Sequence, residues 1–175
     1  MEQPITTTTT KGIVISLILI VLALASYFLD LKPNGPLQWI GYLVFIGGII
    51  WSVMSYGKQI NHNATFGNYF AHGFKVSAMI TAIMIIYMII FIMVFPDFKE
   101  KAMEEAKKSM QSKNNLTSEQ INAGLEMTRK FFNVFLIGGT LVFYLLFGAL
   151  ASLVGAAITK KQPNNLARDI NQIGE

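Results

Sequence analysis

Asn68, His72 and Lys75 stand at i, i+4 and i+7, the spacing that places three side chains on one face of a helix. An imidazole, an ammonium group and an amide together suit the recognition of an anion, such as a lipid headgroup at the cytoplasmic membrane face. Phe66, Phe70 and Phe74 recur every fourth residue along the same stretch and share a second face. The plainer reading, a lysine that snorkels to the interface beside phenylalanines that anchor the helix there, is the one a lysine at a span end favours. Catalytic signatures are missing: the chain has no cysteine, no G-x-S-x-G, no H-E-x-x-H and no P-loop. His62 and His72 are ten residues apart with no neighbouring carboxylate in sequence, so no metal and no cofactor is expected. Met79, Met84, Met88 and Met93 read as adaptable packing, because thioether copper sites add Cys or clustered His.

The elements that must carry these residues are set by charge. Four stretches, 12–29, 37–57, 76–95 and 131–159, contain no Asp, Glu, Lys or Arg, and their lengths are 18, 21, 20 and 29 residues. A hydrocarbon core of roughly 30 Å needs about 20 apolar residues at about 1.5 Å each. Each run is therefore long enough to span, and each must be a helix, because an unpaired amide in lipid costs several kcal/mol. A soluble domain would place charge on the wet side of every helix. The expected fold is all-α: an integral membrane four-helix bundle with an extramembrane helical hairpin between the third and fourth spans.

Spans are expected at about 12–29, 37–57, 74–95 and 133–159, in one membrane domain over 12–161. A flexible segment (1–11) precedes it and a tail (162–175) follows. Ala23-Leu24-Ala25 has the form of a signal-peptidase site, but the apolar run continues past it, which favours a retained anchor. Pro33-Asn34-Gly35-Pro36 is a turn that folds the first two spans into an antiparallel pair. Thirteen of the 24 charges fall in 97–130. There Phe98, Ala102, Ala106 and Met110 form a stripe widened by Met103, and Glu104 and Lys108 pair at i, i+4. A turn is expected at Lys113-Asn114-Asn115-Leu116. Thr117 with Gln120 fits a capping box opening a second helix, which Ile121, Leu125 and Phe132 line as it runs on into the last span. Lys11, Lys58, Lys75 and the Lys160-Lys161 pair sit at span ends, placing both termini on the cytoplasmic side of the cell membrane.

Gly148, Ser152, Gly155 and Thr159 form a small-residue stripe on the last span, suited to packing inside the bundle or to a homodimer seam. Val44-Phe45-Ile46-Gly47-Gly48 echoes Val134-Phe135-Leu136-Ile137-Gly138-Gly139, which fits either a duplicated hairpin or shared membrane composition. No charged residue lies deep in any run, which argues against a proton-driven pump and against intramembrane acid–base catalysis. Ser16, Ser26, Ser52, Ser77, Thr81 and Thr140 leave a passive pore open. The function that best fits is a non-enzymatic accessory or assembly subunit, the alternative being an oligomeric passive transporter or channel for a small solute. Its expected partners are membrane lipids and a second copy or another membrane protein, through the last span or the 97–130 hairpin. Nothing suggests nucleic acid, since no basic groove interleaved with aromatics is present.

The order of features resembles a family of four-span bacterial membrane proteins, mostly of the Bacteroidota, defined as a domain of unknown function. The features that carry the resemblance are Lys11-Gly12 opening the first span and Thr65-Phe66-Gly67-x-x-Phe70-x-x-Gly73-Phe74 leading into the third. Phe95-Pro96-Asp97 ends that span, a charged helical insert follows, and Leu153-Val154-Gly155-Ala156-Ala157-Ile158-Thr159-Lys160-Lys161 closes the last. The resemblance covers roughly residues 8 to 162 and implies a cytoplasmic-membrane bundle. It implies no activity, cofactor or site residue.

Overall fold

The computed structural model describes residues 7–31, 35–112 and 117–159. The expected turns at Pro33-Asn34 and 113–116, the Lys160-Lys161 pair and the 162–175 tail lie outside the described residues. Among the described residues six helices follow one another: α1 (Thr8–Phe28), α2 (Pro36–Gln59), α3 (Phe66–Val94), α4 (Asp97–Gln111), α5 (Ser118–Lys130) and α6 (Phe132–Ile158). Four of them, α1, α2, α3 and α6, are long and apolar enough to cross a membrane.

Their ends follow from local chemistry. Thr7 caps α1 by accepting a hydrogen bond from the Thr10 amide, and Pro36 opens α2 where its missing N–H is not needed. Both α1 and α2 close in Schellman geometry. Leu31 N–H donates to Ser26 C=O and Asp30 N–H to Tyr27 C=O, while His62 N–H donates to Gly57 C=O and Asn61 N–H to Lys58 C=O. The left-handed residues at these turns are Asp30 (φ 49°), Asn61 (φ 51°) and His62 (φ 54°), residue types that tolerate this region better than most. Pro96 separates α3 from α4, because it can neither donate to the ladder nor fit inside it.

Two boundaries differ from expectation. The first helix begins at Thr8, so Thr8–Lys11 forms its opening turn and is not part of a flexible leader. The third begins at Phe66, eight residues before the expected start.

The chain divides into two compact units. The first holds α1, α2, residues 66–81 of α3 and residues 144–158 of α6. Its burial is the reverse of a soluble protein's. Ser16, Ser52, Ser77 and Ser152 are fully buried, whereas Val21, Leu43 and Trp51 are more than half exposed. Only in an apolar solvent is that arrangement favourable, and the four spans bury between 22% and 33% of their apolar windows, leaving the rest for lipid.

The helices meet on small residues. A methyl at Gly148 would overlap Ser77, whose hydroxyl donates to the Tyr144 carbonyl at 2.9 Å. A Cβ on Gly73 would stand 2.7 Å from both Ser152 Oγ and Val53 Cγ2, and one on Gly155 would stand 3.1 Å from Val53 Cβ. Phe45 packs edge-on against Tyr144 at 4.8 Å between centroids. The stripe on α6 is therefore filled by α2 and α3 of the same chain.

The second unit comprises residues 82–94 of α3, α4, α5 and residues 132–143 of α6. The expected apolar stripe of α4 is its covered side: Met103 is buried, and Phe98, Ala102, Ala106 and Met110 are half-buried. Thr117 and Gln120 make the reciprocal capping box of α5. Phe98 stacks edge-on between Phe91 and Phe132, and Arg129 reaches across from α5 to Glu100 on α4 at 2.6 Å. Lys108 pairs with Glu105 at i, i+3 and not with the expected Glu104. That exposed contact raises its ammonium above the ordinary lysine value, chiefly through the Glu105 hydrogen bond. Phe131, outside helical geometry, breaks the continuous helix expected from α5 into α6.

The contrast between buried and open glycines is measurable. Gly148→Ala must displace the Ser77 side chain and is expected to lower stability in detergent by about 1–3 kcal/mol. Gly138→Ala meets nothing within 4 Å and is expected to be neutral or slightly stabilising. Thermal unfolding of the two variants checks the order, and equal midpoints would contradict it.

Candidate functional site

At one end of the first unit, three helices bring titratable side chains into the interior. The nearest polar groups come from Thr8 and Lys11 on α1, Ser52 and Tyr56 on α2, and His72 on α3. Lys11 is 2% exposed and His72 is 8% exposed. Lys11 lies about 5 Å in from the start of α1, Ser52 about 10 Å from the end of α2, and His72 about 9 Å from the start of α3, at 1.5 Å per residue.

Ser52 joins the two basic groups. Lys11 Nζ donates to its backbone carbonyl at 3.2 Å, and its hydroxyl shares a hydrogen bond with His72 Nε2 at 3.2 Å. On the other side of the ring, Nδ1 lies 3.4 Å from Thr8 Oγ1. Either tautomer is served, since both hydroxyls can donate or accept. Tyr56 stacks flat on the imidazole, with centroids 4.2 Å apart and planes 4° from parallel, and fixes the ring. Lys11 Nζ also stands 5.9 Å from the ring centroid of Trp51, an exposed side chain. Gly12, next along α1, lets Met79 of α3 lie against the backbone: a Cβ there would meet Met79 Cγ at 2.7 Å.

No carboxylate comes within ion-pair distance of Lys11 among the described residues, where the one acid of the first unit, Asp30, follows the far end of α1. Among the described residues no group of three His, Asp or Glu side chains converges as a metal site would require.

The three residues expected to share a face separate here. His72 turns inward, while Asn68 and Lys75 are exposed. The buried face of α3 at this level runs through Tyr69, His72, Gly73, Val76 and Ser77. At about 100° per residue its centre lies about 110° round from Asn68, so His72 falls on its edge and the other two fall outside it. Phe70 stacks on Phe74 at 5.9 Å, and Phe66 is exposed. Of the methionines, Met84 is buried and Met93 is 78% exposed. The stripe residues Gly148, Ser152, Gly155 and Thr159 all point into the unit.

Sequence reasoning treated Lys11 as a flanking topology charge and so missed it as an interior residue. The signal was present: Lys11, Gly12, Ile15, Ser16 and Leu19 are the buried positions of α1 and fall on one helical face. That face holds the small and polar residues of an otherwise apolar helix.

Four apolar helices with polar groups turned inward define a multi-pass membrane protein. Residues 10–161 match the family described as protein of unknown function DUF4199, and the chain belongs to that family. No curated protein and no solved structure matches it.

Proposed function

We propose that this protein is a non-enzymatic accessory or assembly subunit of the cell membrane. The observation that carries the reading is the fate of its hydroxyl groups. Ser16, Thr81, Thr140 and Ser152 each donate to the carbonyl four residues back in their own helix. Ser77 donates to α6 and Ser52 is engaged by His72. Side chains that a hydrated path would need as its lining are spent on closing the protein's own interior, which supports a structural role over conduction.

The charged hairpin supports a contact role outside the hydrocarbon. It carries an open cleft of about 440 Å³ between α4 and α5, lined by Met103 and Leu125 with Glu100, Glu104, Lys107 and Arg129 at its rim. Apolar floor and mixed-charge rim are the ingredients of a protein contact. Binding through this hairpin leaves the α6 stripe to internal packing. Both termini lie on the cytoplasmic side in this reading, supported by the exposed Lys58 near the end of α2 and Lys75 near the start of α3, which flank one connection.

Purification in mild detergent followed by native mass spectrometry is expected to return an oligomer or a complex with a second membrane protein. Bare monomer alone would contradict the reading, and solute flux through reconstituted liposomes would favour a transporter instead. Orientation has its own check, because the chain has no cysteine. A thiol at Asn63→Cys is expected to react with an impermeant reagent only after the membrane is opened. Labelling of intact cells would reverse the assignment.

A further inference from the structure

Lys11 is an ammonium group buried in a membrane protein; among the described residues it has a single hydrogen-bond acceptor, the Ser52 carbonyl, and no acid in reach. An ammonium has three donors, so two remain without a protein partner among the described residues. An ionisable residue held inside a membrane bundle without its counter-charge is a functional arrangement by default.

Its basic neighbours are few: His72 lies against the same serine as Lys11, and Lys75 stands three residues further along α3. The N-terminal ends of α1 and α3 and the C-terminal ends of α2 and α6 all lie at this end of the unit, so the helix dipoles largely offset one another. Trp51, 5.9 Å from the ammonium, is 56% exposed, so one aromatic side chain separates the charge from the outer surface of the bundle. The cluster lies about 5–10 Å in from the helix ends, within reach of an interface for a long side chain. A lysine stem of four carbons can carry the charge past that ring to the surface.

We propose that Lys11, with His72 behind it, forms a phosphate-binding site at this end of the first unit. The same chemistry accepts the phosphodiester of an anionic phospholipid or free inorganic phosphate. Lys11 supplies the charge and its two unused donors. His72 positions Ser52, and through it the lysine, by its hydrogen bonds to Ser52 and Thr8 and its stacking on Tyr56. The inference does not depend on the accessory role, since a phosphate site serves a lone monomer as well as a subunit.

The test uses the full chain in detergent, titrated with phosphatidylglycerol or phosphatidylcholine and read by native mass spectrometry and thermal unfolding. Wild type is expected to retain phosphatidylglycerol about tenfold better than phosphatidylcholine, as charge-assisted hydrogen bonds imply. Lys11→Met, which keeps the volume and removes an uncompensated charge, is expected to abolish that preference. His72→Gln is expected to weaken it, and Lys58→Met, an exposed lysine in the last turn of α2, to leave it unchanged. Inorganic phosphate added with phosphatidylcholine separates the sources. If it raises the unfolding temperature of wild type but not of Lys11→Met, the site takes free phosphate. If it does nothing while phosphatidylglycerol binding still requires Lys11, the site takes the lipid. Equal response of wild type, Lys11→Met and His72→Gln to both forms of phosphate would overturn the proposal.

Discussion

Lipid offers no hydrogen bonds, and that constraint organises the first unit. A polar group placed between α1, α2, α3 and α6 is costly unless it finds its partner within the chain. Close approach makes this possible. Gly73, Gly148 and Gly155 let α3, α6 and α2 come near enough for Ser77 to reach the Tyr144 carbonyl and for Ser152 to fit against Gly73. With a larger residue at any of these positions the helices would separate, and the hydroxyls would be left without the packing that encloses them. The hydrophobic effect contributes little between these helices, because lipid is as apolar as their own leucines. Cohesion rests on dispersion between closely packed small residues and on a few interhelical hydrogen bonds.

Against that background the cluster at Lys11 stands out, and the His62 Nδ1 and Tyr69 hydroxyl at the same end of the unit are likewise buried without a hydrogen-bond partner among the described residues. The serines and threonines of the interior balance their donors and acceptors locally, mostly within one turn of their own helix. Lys11 does not, since its partner is a carbonyl on another helix that leaves most of its charge unanswered. A locally inconsistent residue inside a largely consistent fold marks a site where something besides stability was being specified. The second unit differs in kind. Its charges are solvated or loosely paired, as at Glu100–Arg129 and Glu105–Lys108, and its shape comes from the Phe91, Phe98 and Phe132 contacts.

The parts of this architecture legible in the sequence are those decided by short-range or averaged properties. Charge-free runs near 20 residues specify spans whatever their neighbours, and the Thr117–Gln120 box is complete within four residues. Pro96 ends a helix by its own stereochemistry. Helix over 66–75 was legible in the spacing of its phenylalanines and polar residues, but Asn68, His72 and Lys75 interrupt the apolar count, so the span itself was placed from 74. Lys11 escaped for a different reason. Its acceptor lies 41 residues away on α2, and next to an apolar run a lysine reads first as a boundary charge. The Asn68, His72 and Lys75 spacing pointed to the stretch of α3 where His72 lies buried, while Asn68 and Lys75 are exposed. A three-residue face is too broad, however, to tell which member turns inward.

The central claim is that the small and polar residues of α6 face the interior of their own chain. Val53 and Gly155 test it most directly, since a Cβ at Gly155 would stand 3.1 Å from Val53 Cβ, a few tenths short of the ~3.5–4.5 Å of a disulfide. The chain has no native cysteine to interfere. In native membranes, oxidation of the Val53→Cys, Gly155→Cys double variant is predicted to give an intramolecular disulfide in a monomer. The Gly155→Cys single variant is predicted to give no crosslinked dimer. Covalent dimer from the single variant, with no intramolecular bond in the double, would contradict the account.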